Sequence, residues 1–158
     1  MHEVKNTYKV LIVGDYKAGK TALLNRYVND WFHQSYKPTV GFDILKKEIL
    51  LKNKSQIILS LWDSGGLLTQ ITSKKDKFFR HADASVVVFS LKDKKSLSAI
   101  QTHINSIREN VNDEIPIIVF GTKADLIDEK QSYFEIKESL QNLTINSEVD
   151  LYIGSSKT

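Results

Sequence analysis

Residues 14–21 read Gly-Asp-Tyr-Lys-Ala-Gly-Lys-Thr, and this stretch decides the fold. It follows a buried apolar run, Tyr8 to Val13, and it precedes residues 20–29, whose apolar side chains recur at the helical period. The pattern fits G-x-x-x-x-G-K-[ST] between a strand and a helix, a loop whose backbone N–H groups cradle phosphate oxygens. The N-terminus of the helix adds positive potential. We therefore predict a nucleoside-phosphate site, with Lys20 on the β- and γ-phosphates and the Thr21 hydroxyl on Mg²⁺.

Composition places the chain among ordinary globular domains. It has 158 residues, 41% of them apolar and 26% charged, with a net charge of +3 and no cysteine. The length predicts one domain, 1–158. The absence of cysteine excludes disulfides, thiolate metal sites and a cysteine-linked lipid anchor within this chain. The mild charge does not argue for nucleic acid, and no apolar run approaches 18 residues, so we expect a cytoplasmic protein.

The rest of the chain alternates strand and helix patterns. Apolar runs at 41–51, 56–62, 84–91, 117–120 and 149–153 predict strands, with a hairpin turn at Asn53-Lys54 and a strand end at Gly121. Helical periodicity predicts a helix capped by Ser96 and running to about Asn110, and a weaker helix over about 131–142. The Gly- and Lys-bearing stretch 63–77 is typical of a loop that leads into a short helix. Strands separated by helical crossovers predict an α/β fold. Its six-stranded sheet is mostly parallel, with one antiparallel edge strand and helices on both faces.

Four further segments lie in the order and spacing of the Ras superfamily of small GTPases. They are residues 36–43 (Tyr-Lys-Pro-Thr-Val-Gly-Phe-Asp), 61–66 (Leu-Trp-Asp-Ser-Gly-Gly), 122–125 (Thr-Lys-Ala-Asp) and 154–158 (Gly-Ser-Ser-Lys-Thr). These resemble the first switch, the second switch, the guanine-reading motif and the loop after the last strand. The Gly-Phe-Asp ending of the first segment resembles the same part of the first switch in Rab proteins. The chain thus resembles a divergent Rab-like P-loop G domain along nearly its whole length.

The resemblance implies a site for GTP or GDP with Mg²⁺. The phosphate-binding residues would be Asp15, Tyr16, Lys17, Ala18, Gly19, Lys20, Thr21, Ala22, Thr39 and Gly66. The guanine-binding residues would be Phe32, Thr122, Lys123, Asp125, Leu126, Ser155, Ser156 and Lys157. The metal ligands would be Thr21, Thr39 and Asp63. Thr122 stands where Asn is commoner, as it does in Rho-like members, so guanine selectivity is expected to survive.

Two departures from the family pattern concern catalysis. Leu67 stands where the family places a Gln that orients the attacking water, and a leucine side chain has neither donor nor acceptor. Tyr16 stands where relatives carry Gly or Ser, and Lys17 adds a charge beside it. No catalytic residue is assigned. We expect GTP hydrolysis to be slow, and insensitive to ordinary activating proteins.

The family ends in a helix that covers one sheet face, and this sequence stops at that helix's first turn. We therefore expect the final helix to be missing, the domain to be truncated or part of a longer polypeptide, and a second domain to be a candidate partner. The function expected is a trafficking or signalling switch read by effectors through residues 32–43 and 63–79. Two alternatives stay open: a pseudo-GTPase interaction module that no longer cycles, and an adenine-nucleotide kinase or ATPase.

Overall fold

The computed structural model describes residues 6–15, 17–29, 43–64, 72–124, 134, 136–138, 140–141 and 149–156. Six strands and four helices have bounds in these ranges. In chain order they are β1 (Thr7–Gly14), α1 (Lys20–Asn29), β2 (Asp43–Leu50), β3 (Gln56–Asp63), α2 (Thr72–Phe79), β4 (Ala84–Ser90), α3 (Lys94–Ser98), α4 (Ile100–Asn110), β5 (Ile117–Thr122) and β6 (Asp150–Ile153). The described residues of the segment predicted as a weaker helix, 134, 136–138 and 140–141, are helical.

The strands form a single sheet in the order β2-β3-β1-β4-β5-β6. Every neighbouring pair is parallel except β2 with β3, which is antiparallel. The hairpin turn between them has Lys54 at φ 67°, and the Leu51 N–H donates to the Ser55 carbonyl at 2.9 Å. The predicted mixed six-stranded sheet with one antiparallel edge strand is confirmed.

Apolar side chains of β1 alternate between two cores, because successive residues of a strand point to opposite faces. Leu11 and Val13 pack in the larger core, which includes residues of α2 and α4. Ile12 packs in the smaller core with Leu24 of α1. Helices therefore lie on both faces, as predicted.

The face that carries Ile12 continues across the sheet to Ile118, because Ile12 pairs with Val86 and Val86 pairs with Ile118. Ile118 is 37% exposed, and Tyr152, farther along this face, is 55% exposed. Among the described residues, apolar surface therefore reaches solvent beyond α1. The expected absence of a final helix stays a prediction.

The predicted helix capped by Ser96 is wrong in its start and in its continuity. The cap is Asp93, whose carboxylate accepts from the Lys95 N–H at 3.0 Å, and α3 and α4 are separated at Ala99. Ser96 lies inside α3, where its buried hydroxyl accepts from the Ser90 N–H at 2.9 Å. The Asp93 carboxylate thus caps the exposed N-terminus of α3, and the Ser96 hydroxyl bonds α3 to the end of β4.

The predicted strand end at Gly121 is also wrong, because β5 continues to Thr122. A Cβ on Gly121 would lie 2.7 Å from Cζ of Phe89. The glycine therefore lets β5 pack against a core aromatic ring instead of ending the strand.

Lys9 on β1 fastens the C-terminal end of α2 to the sheet. Its ammonium donates to the carbonyls of Lys77 (3.0 Å) and Arg80 (2.8 Å) and lies 3.7 Å from the centre of the Trp62 ring. Burial, followed by the positive charges of Arg80 and Lys77, lowers the pKa of Lys9 to about 8. The carbonyls and the ring are favourable partners for the charged form, so these contacts hold α2 against β1 and β3.

Candidate functional site

The glycine-bearing loop between β1 and α1 turns through two residues in the left-handed region. Lys17 has φ 62° and Gly19 has φ 100°. The Ala18 N–H donates to the Asp15 carbonyl at 3.1 Å, which closes the turn. Successive N–H groups in such a turn face one concavity at the start of α1, which is the geometry that binds anionic oxygens.

Lys20 is the buried cation of this loop. Its side chain is only 5% exposed, and its ammonium donates to the carbonyls of Gly14 (3.0 Å) and Asp15 (2.8 Å). Burial lowers the pKa of Lys20, and the carboxylates of Asp63 and Asp15 oppose that shift. An anion beside Lys20 would favour its charged form in the same way.

Thr21 and Asp63 meet although they are far apart in sequence. The Thr21 hydroxyl donates to the Asp63 carboxylate at 2.5 Å, and Asp63 is 2% exposed at the end of β3. Parallel pairing of β1 with β3 produces this contact, because Ile12 pairs with Asp63 and carries the loop to the same sheet edge. A hydroxyl and a carboxylate side by side are hard oxygen donors of the kind Mg²⁺ takes together with phosphate oxygens. The residues present therefore fit the metal implied by the sequence.

Thr122 supports the loop from β5. Its buried hydroxyl lies 2.5 Å from the Ala18 carbonyl oxygen and 3.1 Å from that of Phe89. A Cβ on Gly19 would lie 3.1 Å from the same hydroxyl oxygen. The side chain thus holds the loop against the sheet, a contact that the sequence analysis did not foresee, and its predicted contact with guanine stays a prediction.

Two loops at this sheet edge are joined to each other and to the phosphate loop. The Lys123 ammonium donates to the Lys17 carbonyl at 2.9 Å, and burial is the main cause that lowers the pKa of Lys123. The Ala124 N–H donates to the Gly154 carbonyl at 3.2 Å. Ser156 is 6% exposed just beyond β6. The structure therefore brings residues 17, 123 and 154–156 to one edge, as the predicted nucleotide site requires.

Several predicted site residues can be placed and others cannot. Asp15, Lys17, Ala18, Gly19, Lys20, Thr21, Ala22, Asp63, Thr122, Lys123, Ser155 and Ser156 lie at the carboxyl edge of the parallel strands or in α1. Outside the described residues lie Tyr16, Phe32, Thr39, Gly66, Leu67, Asp125, Leu126 and Lys157.

One polar contact of the loop could not be predicted from the sequence. The ring Nε2 of His103, on α4, lies 2.7 Å from Oδ1 of Asp15. The two residues are 88 positions apart, and no spacing rule for histidine ligands signals such a pair. Only the sheet order, which puts β1 beside β4 and so near α4, could have indicated it.

Two features are absent from the described part of the chain. It contains no group of three or more His, Cys, Asp or Glu residues that could hold a metal ion by themselves. None of its helices combines the length and the apolar character that a membrane span requires.

The Gly-rich loop, the buried Lys20, the Thr21–Asp63 pair and the strand order together define a Ras-like P-loop G domain. The family model described as the Ras family matches residues 9–150. The chain belongs to the Ras family.

Its relatives include Ypt/Rab-type GTPases. It is 33% identical to the Ypt/Rab-type GTPase YPT7 of Saccharomyces cerevisiae, over 97% of this chain and 74% of that protein. It is 36% identical to the Ypt/Rab-type GTPase ypt7 of Pyricularia oryzae, over 78% of this chain and 61% of that protein. It is also 33% identical to the human EF-hand calcium-binding domain-containing protein 4B, over 93% of this chain but 20% of that protein. The chain is a Rab-like member of the family.

Proposed function

We propose that this chain is a guanine-nucleotide-binding switch of the Rab-like type, which takes GTP or GDP together with Mg²⁺ and acts in vesicle trafficking or signalling. The observation that carries the proposal is the contact of the Thr21 hydroxyl with the Asp63 carboxylate beside Lys20. These groups come from separate segments, and together they offer two oxygen ligands and one cation to a phosphate chain. The Rab-type relatives support the choice of a trafficking switch.

Each described residue has a role in this proposal that its position allows. Backbone N–H groups of residues 17–20 bind phosphate oxygens, and Lys20 exchanges carbonyl partners for the β- and γ-phosphates. Thr21 and Asp63 would hold Mg²⁺. Thr39, which lies outside the described residues, is proposed as a further ligand in the triphosphate state. When bound, the ion neutralises phosphate charge.

The base-reading part of the proposal depends on the edge formed by residues 122–124 and 154–156. Asp125 has two acceptor oxygens for two adjacent guanine donors, and adenine lacks that donor pair. The Lys123 stem, held by its bond to Lys17, stacks on the base, with Phe32 on the opposite side. The Ser156 N–H meets the exocyclic oxygen of guanine. Competition between unlabelled ATP and labelled GTP tests this selectivity.

Hydrolysis is proposed to be slow because Leu67 cannot orient water. A loss of about 10- to 100-fold in rate corresponds to about 1.4–2.7 kcal/mol in the barrier. Leu67→Gln is therefore expected to raise single-turnover GTP hydrolysis by a similar factor, with the neighbouring Leu68→Gln as the matched control. A flat rate in Leu67→Gln would assign the slow step to Tyr16 or to the position of the second switch.

Nucleotide content gives the direct test of the proposed function. Freshly purified protein is denatured and the released nucleotide is separated by chromatography, with Thr21→Ala purified in parallel. We expect bound GTP or GDP in the wild type, in nearly equimolar amount, and a large loss in Thr21→Ala because a metal ligand is removed. An empty wild-type protein that also fails to bind labelled GDP in Mg²⁺ would contradict the proposal and favour the pseudo-GTPase module.

The proposal has three further parts. Effectors bind through residues 32–43 and 63–79, the same polypeptide carries a second domain, and the protein has a cytoplasmic location. Family membership supports effector binding in general. Comparing protein partners captured with GTP-loaded and GDP-loaded protein tests the switch directly. Partners retained equally in both states would argue for a static interaction module.

A further inference from the structure

The phosphate loop is stabilised by hydrogen bonds within the loop and by one side-chain contact from α4. His103 lies on the buried side of this helix, three residues after Ile100 and four before Ile107, both of which are core residues. Its ring Nε2 is 2.7 Å from Oδ1 of Asp15, with side-chain exposures of 19% for His103 and 36% for Asp15. An ionised carboxylate can only accept hydrogen bonds, so the ring Nε2–H donates to Asp15.

Asp15 connects this outer contact to the inside of the loop. Its carbonyl accepts from the Lys20 ammonium at 2.8 Å and from the Ala18 N–H at 3.1 Å. A single residue is thus fixed through its side chain by α4 and through its carbonyl by two groups of the phosphate-binding turn. Displacement of Asp15 would move the acceptor of both inner bonds.

The direction of the Asp15 carboxylate matters for an anion site. A carboxylate turned toward phosphate oxygens would repel them. In this structure it is bonded to His103 on α4, which keeps its acceptor oxygen occupied by a donor. The backbone carbonyl of Asp15 therefore remains bonded within the turn, while its carboxylate contacts His103 on α4.

We infer that His103 is a positioning residue for the phosphate loop, which acts through Asp15 to hold the turn at residues 15–20 in the geometry that receives the nucleotide phosphates. This inference rests on the proposed nucleotide-binding function for its consequence, but the positioning itself does not require bound nucleotide. Two measurements therefore test it separately.

The first measurement is hydrogen exchange at the Ala18 amide in nucleotide-free protein, read by NMR. His103→Leu keeps an apolar side chain of similar size against the core and removes the donor. We expect exchange at Ala18 to accelerate about three- to tenfold, which corresponds to the loss of one hydrogen bond of ordinary net strength, because both partners are partly exposed. His103→Gln keeps an N–H donor and should stay within about twofold of the wild type. Thr102→Ala, on the exposed side of α4, is the control and should change nothing.

A double variant shows whether His103 acts through Asp15. Asp15→Ala alone should accelerate exchange at Ala18 as His103→Leu does, and adding His103→Leu should cause no further change. An unchanged Ala18 amide in His103→Leu would overturn the inference. So would additive effects in the double variant, or an equal acceleration along all of α4, because a purely structural role in helix packing would produce these.

The second measurement is the release rate of fluorescently labelled GDP. In His103→Leu it should rise about three- to tenfold, and in His103→Gln it should return close to the wild-type rate. Wild-type release with no effect of His103→Leu would overturn the inference and leave the proposed function intact. A wild type that binds no GDP would contradict the proposed function, and the exchange data would still decide the inference.

Discussion

Replacing the buried hydroxyl of Thr122 isolates the contribution of one contact to the phosphate loop. Thr122→Val keeps the shape of the side chain and removes the hydroxyl that lies within hydrogen-bond distance of the Ala18 and Phe89 carbonyl oxygens. Thr122 is 1% exposed, so water cannot replace the lost partner. Leaving a buried acceptor unsatisfied costs about 1–3 kcal/mol. At about 2 kcal/mol, a domain of this size loses about 4–8 °C in Tm.

Thr122→Ser supplies the matched control, because it keeps the hydroxyl and removes one methyl group. Its cost is the transfer of that methyl group and the small cavity left behind, about 1 kcal/mol. The assay is urea unfolding followed by circular dichroism, with GDP release measured in parallel. We expect Thr122→Val to be less stable than Thr122→Ser and to release GDP faster, because Ala18 and Gly19 lose their support. Equal stability of wild type and Thr122→Val, or a larger loss in Thr122→Ser, would refute the reasoning.

Three further predictions concern the sheet and its helices. The folded pKa of Lys9, about 8, lies below its unfolded value of 10.5, so stability should rise between those pH values by about 1 kcal/mol after allowance for solvent screening. Denaturant unfolding at pH 7.5 and at pH 10 should show a larger gain in the free energy of unfolding for the wild type than for Lys9→Met. An equal change in the two proteins would contradict the prediction. Gly14→Ala should destabilise by about 2–4 kcal/mol in thermal unfolding, since its Cβ would lie 2.3 Å from the Val88 carbonyl oxygen; a loss below about 1 kcal/mol would be inconsistent with that clash. Asp93→Ala should lose about 1 kcal/mol as a helix cap, and Ser96→Ala about 1–3 kcal/mol because the buried Ser90 N–H loses its acceptor. An unchanged urea midpoint in Asp93→Ala would contradict the assignment of Asp93 as the cap.

The sheet could be predicted because its signals are local. The run from Tyr8 to Val13 is apolar and β-branched, and β1 extends it by only one residue at each end. The mostly parallel pairing could be predicted because strands that are separated by helical crossovers lie parallel, whereas the two strands of a hairpin are antiparallel. Gly121 was misjudged because a glycine in a strand signals either an end or a close contact, and only the position of Phe89 decides between them.

The candidate site divides in the same way. The phosphate loop could be recognised from residues 14–21 because its function depends on backbone geometry, which glycine spacing and the flanking strand and helix reveal. The partners of Thr122 and His103 could not be predicted, because each bonds to a residue 88 or more positions away. Such contacts depend on how the sheet edge and α4 pack. The sequence around a serine, threonine or histidine does not indicate which distant residue its side chain will bond.

The central position of β1 has a consequence during synthesis of the chain. Thr7 pairs with Ile58 and Val10 pairs with Ala84, so β1 gains its second neighbouring strand only after β4 has emerged from the ribosome. The hairpin of β2 and β3 needs no such wait, because its strands are adjacent in sequence. At about 5–20 residues per second, the interval between β1 and β4 is about 4–14 s. Among the described strands, β1 is thus the central strand whose backbone edge stays longest without both partners, and a nascent chain halted before residue 84 would leave that edge open.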